Sequence, residues 1–184
     1  MKKSKKCKVC SKEFTPFNSL QKVCSSNCAI QLTKEQQKIK SQKEWQKEKK
    51  ERKEKLMSHS DWLQLAQKTF NTYIRLRDKG KPCISCGAEN YTSSCGHYYS
   101  SGKHKNVTFN EDNCHAQCWY YCNSSLSGNL IEYRKGLIER IGVERLEHLD
   151  SIAKIEKKWS IAEIKEKISL YKLKIKDLKH GKNI

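Results

Sequence analysis

Apolar residues recur at helical spacing in the middle of the chain, after a long charged stretch. They lie three or four positions apart, which places them on one face of a helix: Trp62, Ala66, Phe70, Tyr73 and Ile74. Ser60 or Asp61 can cap the start of this helix. Gly80 ends it near Lys79 and Pro82 follows. The pattern predicts one long helix with a buried face.

The last third of the chain carries further helical patterns. Apolar residues from Leu130 to Ile141 share one face, and Gly142 ends that helix before a second, shorter one. Ser160 and Glu163 then form a capping box. The apolar residues that follow are spaced alternately three and four positions apart, which is typical of a coiled-coil seam: Ile161, Ile164, Ile168, Tyr171, Ile175 and Leu178.

This seam has two candidate partners. It packs on the helix face that begins at Trp62 in the same chain, or it pairs with a second copy as a homodimer. A seam of little more than two heptads is short for a free-standing coiled coil. We therefore expect packing within one chain, and dimerisation stays open.

The stretch from Lys34 to Lys55 is charged almost throughout and contains neither glycine nor proline, so its helix propensity is high. Its apolar residues are too sparse to bury a face. Two compatible interpretations remain. The stretch is a solvated, partly ordered linker helix, or it is a basic arm that contacts DNA phosphates through Lys47, Lys50 and Arg52.

Composition indicates the kind of partner. The 184 residues carry a formal net charge of +18, a pI near 9.5 and a mean hydropathy of −0.89. Such a charge favours nucleic acid, and lysine-rich surfaces suit contact with phosphate more than base readout. No apolar run is long enough to span a membrane. No stretch pairs a basic face with the strong apolar face that membrane-surface binding requires.

Eight of the ten cysteines fall into two sets with the same pattern, a Cys-x2-Cys pair followed by a Cys-x3-Cys pair. The first set is Cys7, Cys10, Cys24 and Cys28, and the second is Cys83, Cys86, Cys118 and Cys122. Four thiolates at such spacing can surround a tetrahedral Zn²⁺. The sequence therefore predicts two structural zinc sites.

The compartment follows from the same cysteines. The basic start of the chain has no apolar signal-peptide region, so we expect a reducing cytosol in which thiolates bind zinc and form no disulfides. Cys95 and Cys114 belong to neither set, and we expect them to be small buried apolar residues.

The second cysteine set encloses a cluster of histidine and asparagine. His97 follows Gly96 in a stretch that can form a hairpin strand, and Asn123 follows Cys122 at the start of a helix. The zinc would hold strand and helix together, so that both side chains face one phosphate. A neutral histidine can take a proton from water, and a divalent cation can offset the charge on the phosphate. Asn113 is expected to hold the intervening loop and orient the histidine.

These motifs resemble known nucleases. Gly96-His97-Tyr98, Asn113 and His115 in the next segment, and Cys122-Asn123 are similar to the HNH (ββα-metal) nucleases. The whole chain more closely resembles the NinG (Rap) family of recombination endonucleases from lambda-type phages. The phage endonuclease VII resolvases share a related plan.

The resemblance implies a phage-encoded DNA endonuclease in the bacterial host cytosol. It would act on branched recombination intermediates such as Holliday junctions and D-loops, and phage recombination proteins are candidate partners. His97 would be the general base, and Asn123 would bind a catalytic Mg²⁺ or Mn²⁺. The chain departs from the pattern in two ways. Its last cysteine pair has a spacing of x3, and no acidic residue precedes His97. His115 is therefore our candidate for a second ligand of the catalytic metal.

We accordingly expect an α+β protein, with a small zinc-stapled ββα-metal core, an N-terminal zinc knuckle and mostly helical flanks. The expected domains are a four-cysteine zinc module (1–30), a charged helix or linker (31–59), an HNH-like core with its preceding helix (60–150) and a C-terminal amphipathic helix (151–184).

Further residues are candidates for contact with DNA. Lys103, His104 and Lys105 form a basic loop within the core. Tyr98, Tyr99 and the aromatic residues of the 119–121 segment can stack on unpaired bases, although we expect them to pack over the small zinc core. The alternative function is a non-catalytic, zinc-containing recombination mediator that binds DNA, and the missing acidic residue beside His97 favours it.

Overall fold

The computed structural model describes residues 4–181. The chain divides into two compact units, Met1–Met57 and Ser58–Ile184. The predicted zinc module and charged helix thus belong to the first unit, and the core and C-terminal helix to the second. Within the described residues no helix is both long enough and apolar enough to cross a membrane.

The first unit is a small hairpin followed by one long helix. Strands β1 (Lys5–Lys6) and β2 (Glu13–Phe14) pair in antiparallel fashion. Helix α1 (Ser26–Leu56) is capped by Ser25, whose side chain accepts a hydrogen bond from the backbone N–H of Cys28. The second cysteine pair of the first set, Cys24 and Cys28, therefore flanks the start of the helix.

Helix α1 is unusual because none of its 31 residues is buried. At about 1.5 Å per residue it is roughly 46 Å long. Four exposed ion pairs one turn apart support it: Lys40–Glu44, Lys47–Glu51, Glu48–Arg52 and Lys50–Glu54. Such pairs stabilise a helix by a few tenths of a kcal/mol each. The charged stretch is thus one continuous helix in which local propensity replaces a packed face.

The second unit is built mainly of helices around one antiparallel strand pair. Its elements are, in order, α2 (His59–Arg77), β3 (Ser93–His97), β4 (Cys114–Cys118), α3 (Leu130–Ile141), α4 (Val143–Ile152) and α5 (Ile161–Lys179). A short 3₁₀ turn covers Lys105–Val107, and a π-helical turn covers Trp119–Ser125. The expectation of a mixed α and β protein with mostly helical flanks is confirmed.

The cap of helix α2 lies two residues before the first of the two predicted candidates. Ser58 is the capping residue, and its hydroxyl accepts from the backbone N–H of Asp61, whose carboxylate accepts in return from the backbone N–H of Ser58. The prediction of a cap at Ser60 or Asp61 was wrong because Asp61 is the third residue of a capping box. The helix ends at Arg77 because Asp78 turns into the core.

The C-terminal seam packs within the chain. Ile164, Ile168 and Tyr171 of α5 are buried, and α5 lies along α2. The Tyr171 ring meets that of Phe70 at a centroid distance of 4.8 Å and that of Tyr73 at 5.2 Å. The preference for intrachain packing is confirmed, and so is the predicted capping box of Ser160 and Glu163.

A second apolar cluster joins α3 and α4 to Ile84 and to the 3₁₀ turn. It contains Ile84, Val107, Tyr133, Leu137, Leu146, Leu149 and Ala153. Gly136 lies in the middle of α3 where that helix meets the segment around Ile84. A Cβ atom added to Gly136 would lie 2.0 Å from the carbonyl oxygen of Ile84, so only glycine permits this approach. Gly142, with a φ of 82°, separates α3 from α4 as expected.

Candidate metal and catalytic sites

The first cysteine set converges in the first unit. The ligand atoms of its four cysteines all lie within 4.8 Å of one another. The Cys10 and Cys24 sulfurs are 3.4 Å apart, and those of Cys24 and Cys28 are 3.7 Å apart. Zn–S bonds of about 2.3 Å in a tetrahedron place sulfurs about 3.8 Å apart, so this set could hold zinc. The backbone N–H of Cys10 is the main cause that lowers the pKa of Cys7 to about 6, which favours the thiolate.

The second cysteine set has the same geometry but lies in a more buried setting. Cys86 and Cys118 have their sulfurs 3.8 Å apart, and Cys83, Cys118 and Cys122 are buried. Two backbone N–H groups donate to these sulfurs at 3.2 Å, from Cys118 to Cys83 and from Cys122 to Cys118. This set too could hold zinc. All ten cysteines lie within the described range and carry free thiols.

The last cysteine pair converges with the first despite its x3 spacing. The residues after Cys118 form a π-helical turn, in which the backbone N–H of Leu126 bonds to the carbonyl of Tyr121 five positions earlier. Cys122, within this turn, lies close to the other three sulfurs. Asn123, the next residue, lies in the same turn.

His97 and Asn123 line one cleft of about 700 Å³. His97 is the last residue of β3, and Asn123 comes from the turn that the second cysteine set fixes against the strand pair. The other residues around the cleft are Leu63, Gln64, Gln67, Asn71, Cys95, Ser100, Ser101, Gly102, Lys105, Thr108, Ser127 and Gly128. None of these described cleft residues carries a carboxylate, so the acidic residue absent beside His97 is not replaced from elsewhere.

His97 is held by a residue that the sequence did not single out. Its Nε2 lies 3.0 Å from Nε2 of Gln67 on α2, so the glutamine amide donates to the ring when that nitrogen is unprotonated. Burial lowers the pKa of His97 below its ordinary value of 6.5, and a hydrogen bond with the Cys95 backbone opposes this in part. At neutral pH the imidazole is therefore uncharged and able to accept a proton.

Asn113 holds the loop between the strands and does not line the cleft. Its side-chain oxygen accepts from the backbone N–H of Tyr99 at 2.7 Å, and its amide donates to the carbonyls of Tyr99 and Val107. Its exposed fraction is 0%. The expected loop contacts are present, and any effect on His97 is indirect, through the adjoining strand.

His115 lies on the opposite face of the strand pair from His97. It pairs with Gly96, whereas His97 pairs with Cys114, and successive side chains on a strand point to opposite faces. Its Nδ1 lies 3.1 Å from Nη2 of Arg77, and its Nε2 lies 3.2 Å from the Asp112 carbonyl. His115 therefore cannot bind the same cation as Asn123 in this arrangement, and the expectation that it would was wrong.

Asp78 is the centre of a buried network that sequence reasoning missed. Its carboxylate accepts two hydrogen bonds from Arg77, at 2.9 and 2.8 Å, and one each from Lys81 and the backbone N–H of Ala116. Burial alone would raise the pKa of Asp78, but the neighbouring His115, the hydrogen bonds from Arg77 and Ala116 and the charge of Arg77 together hold it far below its usual range. Arg77 also donates to the Cys114 carbonyl, so the network ties α2 to β4.

The candidate DNA-contact residues lie in different surroundings. Lys105 lines the cleft, whereas Lys103 is exposed outside it. His104 is half-buried: its Nδ1 lies 3.0 Å from the Ala153 carbonyl and its ring packs on Tyr99. In the first unit, the candidate cations of α1 are exposed, each in an ion pair with a glutamate: Lys47, Lys50 and Arg52.

Three consecutive aromatic side chains project from the π-helical turn. Trp119, Tyr120 and Tyr121 are 54%, 72% and 58% exposed. The expectation that they pack over the zinc core was wrong, because Cys122 faces the sulfur cluster while these three side chains face solvent. No pattern in the sequence distinguishes such a turn from an ordinary helix start.

The comparisons with known proteins agree on one family. The family model described as the bacteriophage lambda NinG protein matches residues 1–181. Protein ninG of Escherichia phage 933W is 34% identical over 196 residues, covering 97% of this chain and 96% of that protein. Protein ninG of Salmonella phage P22 and that of Escherichia phage lambda are each 38% identical over 135 residues, covering 72% of this chain and 64% of theirs. No solved structure matches the chain. The chain thus belongs to the NinG family of phage proteins.

Proposed function

We propose that this protein is a metal-dependent DNA endonuclease with a ββα-metal core of the HNH type. The main supporting observation is that His97 and Asn123 line the same cleft. His97 belongs to the strand pair, and Asn123 to the helical turn that follows it. The second cysteine set, with zinc bound, would hold the turn against the strands. Asn113 would act as a positioning residue through the loop between them.

His97 is suited to the role of general base. Its half-buried, uncharged imidazole can accept a proton from the attacking water at neutral pH. Gln67 would fix the ring through the hydrogen bond at Nε2 and would yield that nitrogen to water when the substrate binds. Lys105, at the edge of the cleft, would attract the phosphate.

Asn123 would supply the protein's oxygen ligand for a divalent cation. Bound Mg²⁺ or Mn²⁺ would offset the charge that develops on the phosphate. Because no carboxylate lines the cleft among the described residues, the protein alone would bind these cations weakly. The scissile phosphate would provide the remaining negative oxygens, so that cation and DNA bind together.

The exposed aromatic residues support branched DNA as the substrate. Trp119, Tyr120 and Tyr121 lie in the same turn as Asn123, and each is more than half exposed. Unpaired bases at a junction or D-loop stack on such rings, whereas the bases of an intact duplex are not available. The net charge of +18 favours binding to any DNA backbone, and the aromatic residues would add the preference for branched structures.

The setting proposed from the family is phage recombination in the bacterial host cytosol, with phage recombination proteins as candidate partners. A homodimer could cut both sides of a junction. However, the α5 seam that first suggested a dimer packs on α2 within the chain, so a dimer would need another surface.

The test is cleavage of a labelled four-way junction and a matched linear duplex with Mg²⁺ or Mn²⁺. The proposal predicts that the wild-type protein nicks the junction and that His97→Ala slows nicking by about 10²- to 10⁴-fold while retaining junction binding. His148→Ala, at an exposed histidine on α4, is the matched control and should cleave normally.

The pH profile gives a second readout. Because folding lowers the pKa of His97, the base is uncharged above that lowered pKa. The rate should therefore rise with pH below 6.5 and be level at neutral pH. Tight junction binding without any cut by the wild-type protein, with either cation, would instead favour the non-catalytic mediator.

A further inference from the structure

Two cysteines and a histidine converge at the wall of the cleft. The ligand atoms of Cys95, His97 and Cys114 all lie within 4.8 Å of one another. The strand register accounts for this arrangement: His97 pairs with Cys114, and Cys95 lies two positions earlier on the same face of β3. This trio uses the two cysteines that belong to neither four-cysteine set.

The trio borders the cleft through two of its three members. Cys95 and His97 line the cleft, whereas Cys114 lies beneath them with an exposed fraction of 0%. An ion that enters from the cleft would meet Cys95 and His97 first and Cys114 last. Its fourth coordination position would then point back into the cleft, towards water or a phosphate.

The donor atoms determine which ions fit. Two thiolates and one imidazole suit Zn²⁺, Co²⁺ or Cd²⁺ and disfavour Mg²⁺ and Mn²⁺, which bind oxygen. Three protein ligands with one open position differ from the closed four-sulfur sets, which are typical of structural zinc. The ligand atoms in the cleft therefore favour a thiophilic ion over a hard one, since none of its described lining residues carries a carboxylate.

We propose that Cys95, His97 and Cys114 form a third metal site, separate from the two four-cysteine sets, which binds Zn²⁺ or a similar thiophilic ion. Binding replaces the two thiol protons, which pass to solvent, and engages the lone pair of a His97 ring nitrogen. No electron is transferred and no covalent bond other than S–H is broken.

Occupation of this site has a consequence for catalysis that rests on the proposed function. A neutral His97 ring has one nitrogen with a free lone pair, and its other nitrogen carries a proton, so a ring that gives this lone pair to a metal cannot accept a proton from water. Zinc bound by the trio would therefore switch off cleavage supported by Mg²⁺. Metal binding itself does not depend on the nuclease proposal.

The site is tested by zinc stoichiometry on the full-length protein. Equilibrium dialysis against buffered Zn²⁺ should give three equivalents for the wild-type protein and two for Cys95→Ala. Ser94→Ala, whose side chain points to the opposite face of β3, is the matched control and should keep three. Two equivalents in the wild-type protein, or three in Cys95→Ala, would overturn the proposal.

Co²⁺ provides a second measurement that does not depend on activity. The third equivalent of Co²⁺ should add a thiolate-to-metal absorption band to the wild-type spectrum that Cys95→Ala lacks. Cys114→Ala should also lose it, and a thermal melt should establish that this buried variant is folded. A third equivalent bound without a thiolate band would assign the ion to other ligands.

Junction cleavage then tests the inhibition. Each variant is compared with its own rate in Mg²⁺ before zinc is added. The third zinc equivalent should lower the wild-type rate at least tenfold and leave the relative rate of Cys95→Ala unchanged. Three bound equivalents with undiminished cleavage would refute the inhibition. A wild-type protein that never cleaves would refute the proposed function, while the stoichiometry would still decide the metal site.

Discussion

The two four-cysteine sets share one spacing pattern but differ in what they hold together. The first set lies beside the short strand pair β1–β2 and at the start of helix α1, which has no buried residue. The second lies within the larger unit, with three of its cysteines buried, and its last residue precedes Asn123 directly. The same cysteine spacing therefore occurs in a small module in one place and directly beside a candidate catalytic residue in the other.

The largest expected difference comes from removing one ligand of each set. Structural zinc contributes folding energy comparable to the whole stability of a small domain. Cys83→Ser should therefore disorder the turn with Asn123 and abolish junction cleavage, whereas Cys7→Ser should disorder only the first hairpin. Amide hydrogen exchange would map the loss of protection in each variant. Equal loss of protection in the second unit from both substitutions would contradict the comparison.

The buried carboxylate of Asp78 gives the next largest effect. The substitution Asp78→Asn would leave Arg77 and Lys81 without their counter-ion. We expect it to lower the free energy of unfolding by about 3 to 5 kcal/mol. Urea unfolding of the second unit would measure this loss. Asp112→Asn, which removes a more exposed pair with Arg145, should cost about 1 kcal/mol or less.

The same carboxylate predicts acid sensitivity. Because the pKa of Asp78 is depressed by folding, its contribution to stability is fully present above the unfolded pKa, near 3.8. It is lost as the pH falls from there towards the folded pKa. The stability of Asp78→Asn should therefore fall less steeply below pH 4 than that of the wild-type protein. If the stabilities of the two proteins fall in parallel below pH 4, Asp78 is not the cause of this pH dependence.

The aromatic turn beside the second cysteine set has a moderate expected effect. Trp119→Ala and Tyr120→Ala should each weaken binding to a four-way junction by about 1 to 3 kcal/mol per stacked base, with little change for a linear duplex. Trp45→Ala, at an equally exposed tryptophan on α1, is the matched control. Fluorescence anisotropy with both DNAs would measure the difference. Equal weakening on duplex and junction would argue against stacking.

The smallest effect per residue is expected from α1. Replacing Lys47, Lys50 and Arg52 with glutamine should leave stability nearly unchanged, because their ion pairs are exposed. If each contacts a phosphate, the slope of log affinity against log salt should become shallower by about 0.9 per residue. Replacing Glu44, Glu48 and Glu51 with glutamine removes negative charge instead of positive charge. As the converse control, it should strengthen binding to DNA. An unchanged salt slope would leave α1 as a linker.

The helices were predictable because their signals are local. The spacing from Trp62 to Ile74, the glycine at 142 and the capping box at Ser160 each depend on residues a few positions apart. The start of α2 was misplaced because Ser58, Ser60 and Asp61 can all cap a helix, and only the reciprocal hydrogen bonds select Ser58.

The parts that sequence reasoning missed depend on distant pairings. The register that places His115 opposite Gly96 decides its face, and a shift of one position would have placed it beside the cleft. Gln67 meets His97 across thirty positions, and Asp78 meets Ala116 across thirty-eight. The spacing of residues within a motif does not predict contacts between such distant positions. It does predict the cysteine sets, because the two cysteines of each pair are close in sequence.

Gly136 bears on how loss-of-function variants of this protein should be interpreted. It does not line the cleft, yet any side chain there would collide with the Ile84 carbonyl, next to Cys83. In a genetic screen for inactive alleles, substitutions at Gly136 would therefore be recovered alongside those at His97. Separating the two classes requires the amount of folded protein in the cell, because an inactive allele by itself identifies an intolerant position and not a catalytic one.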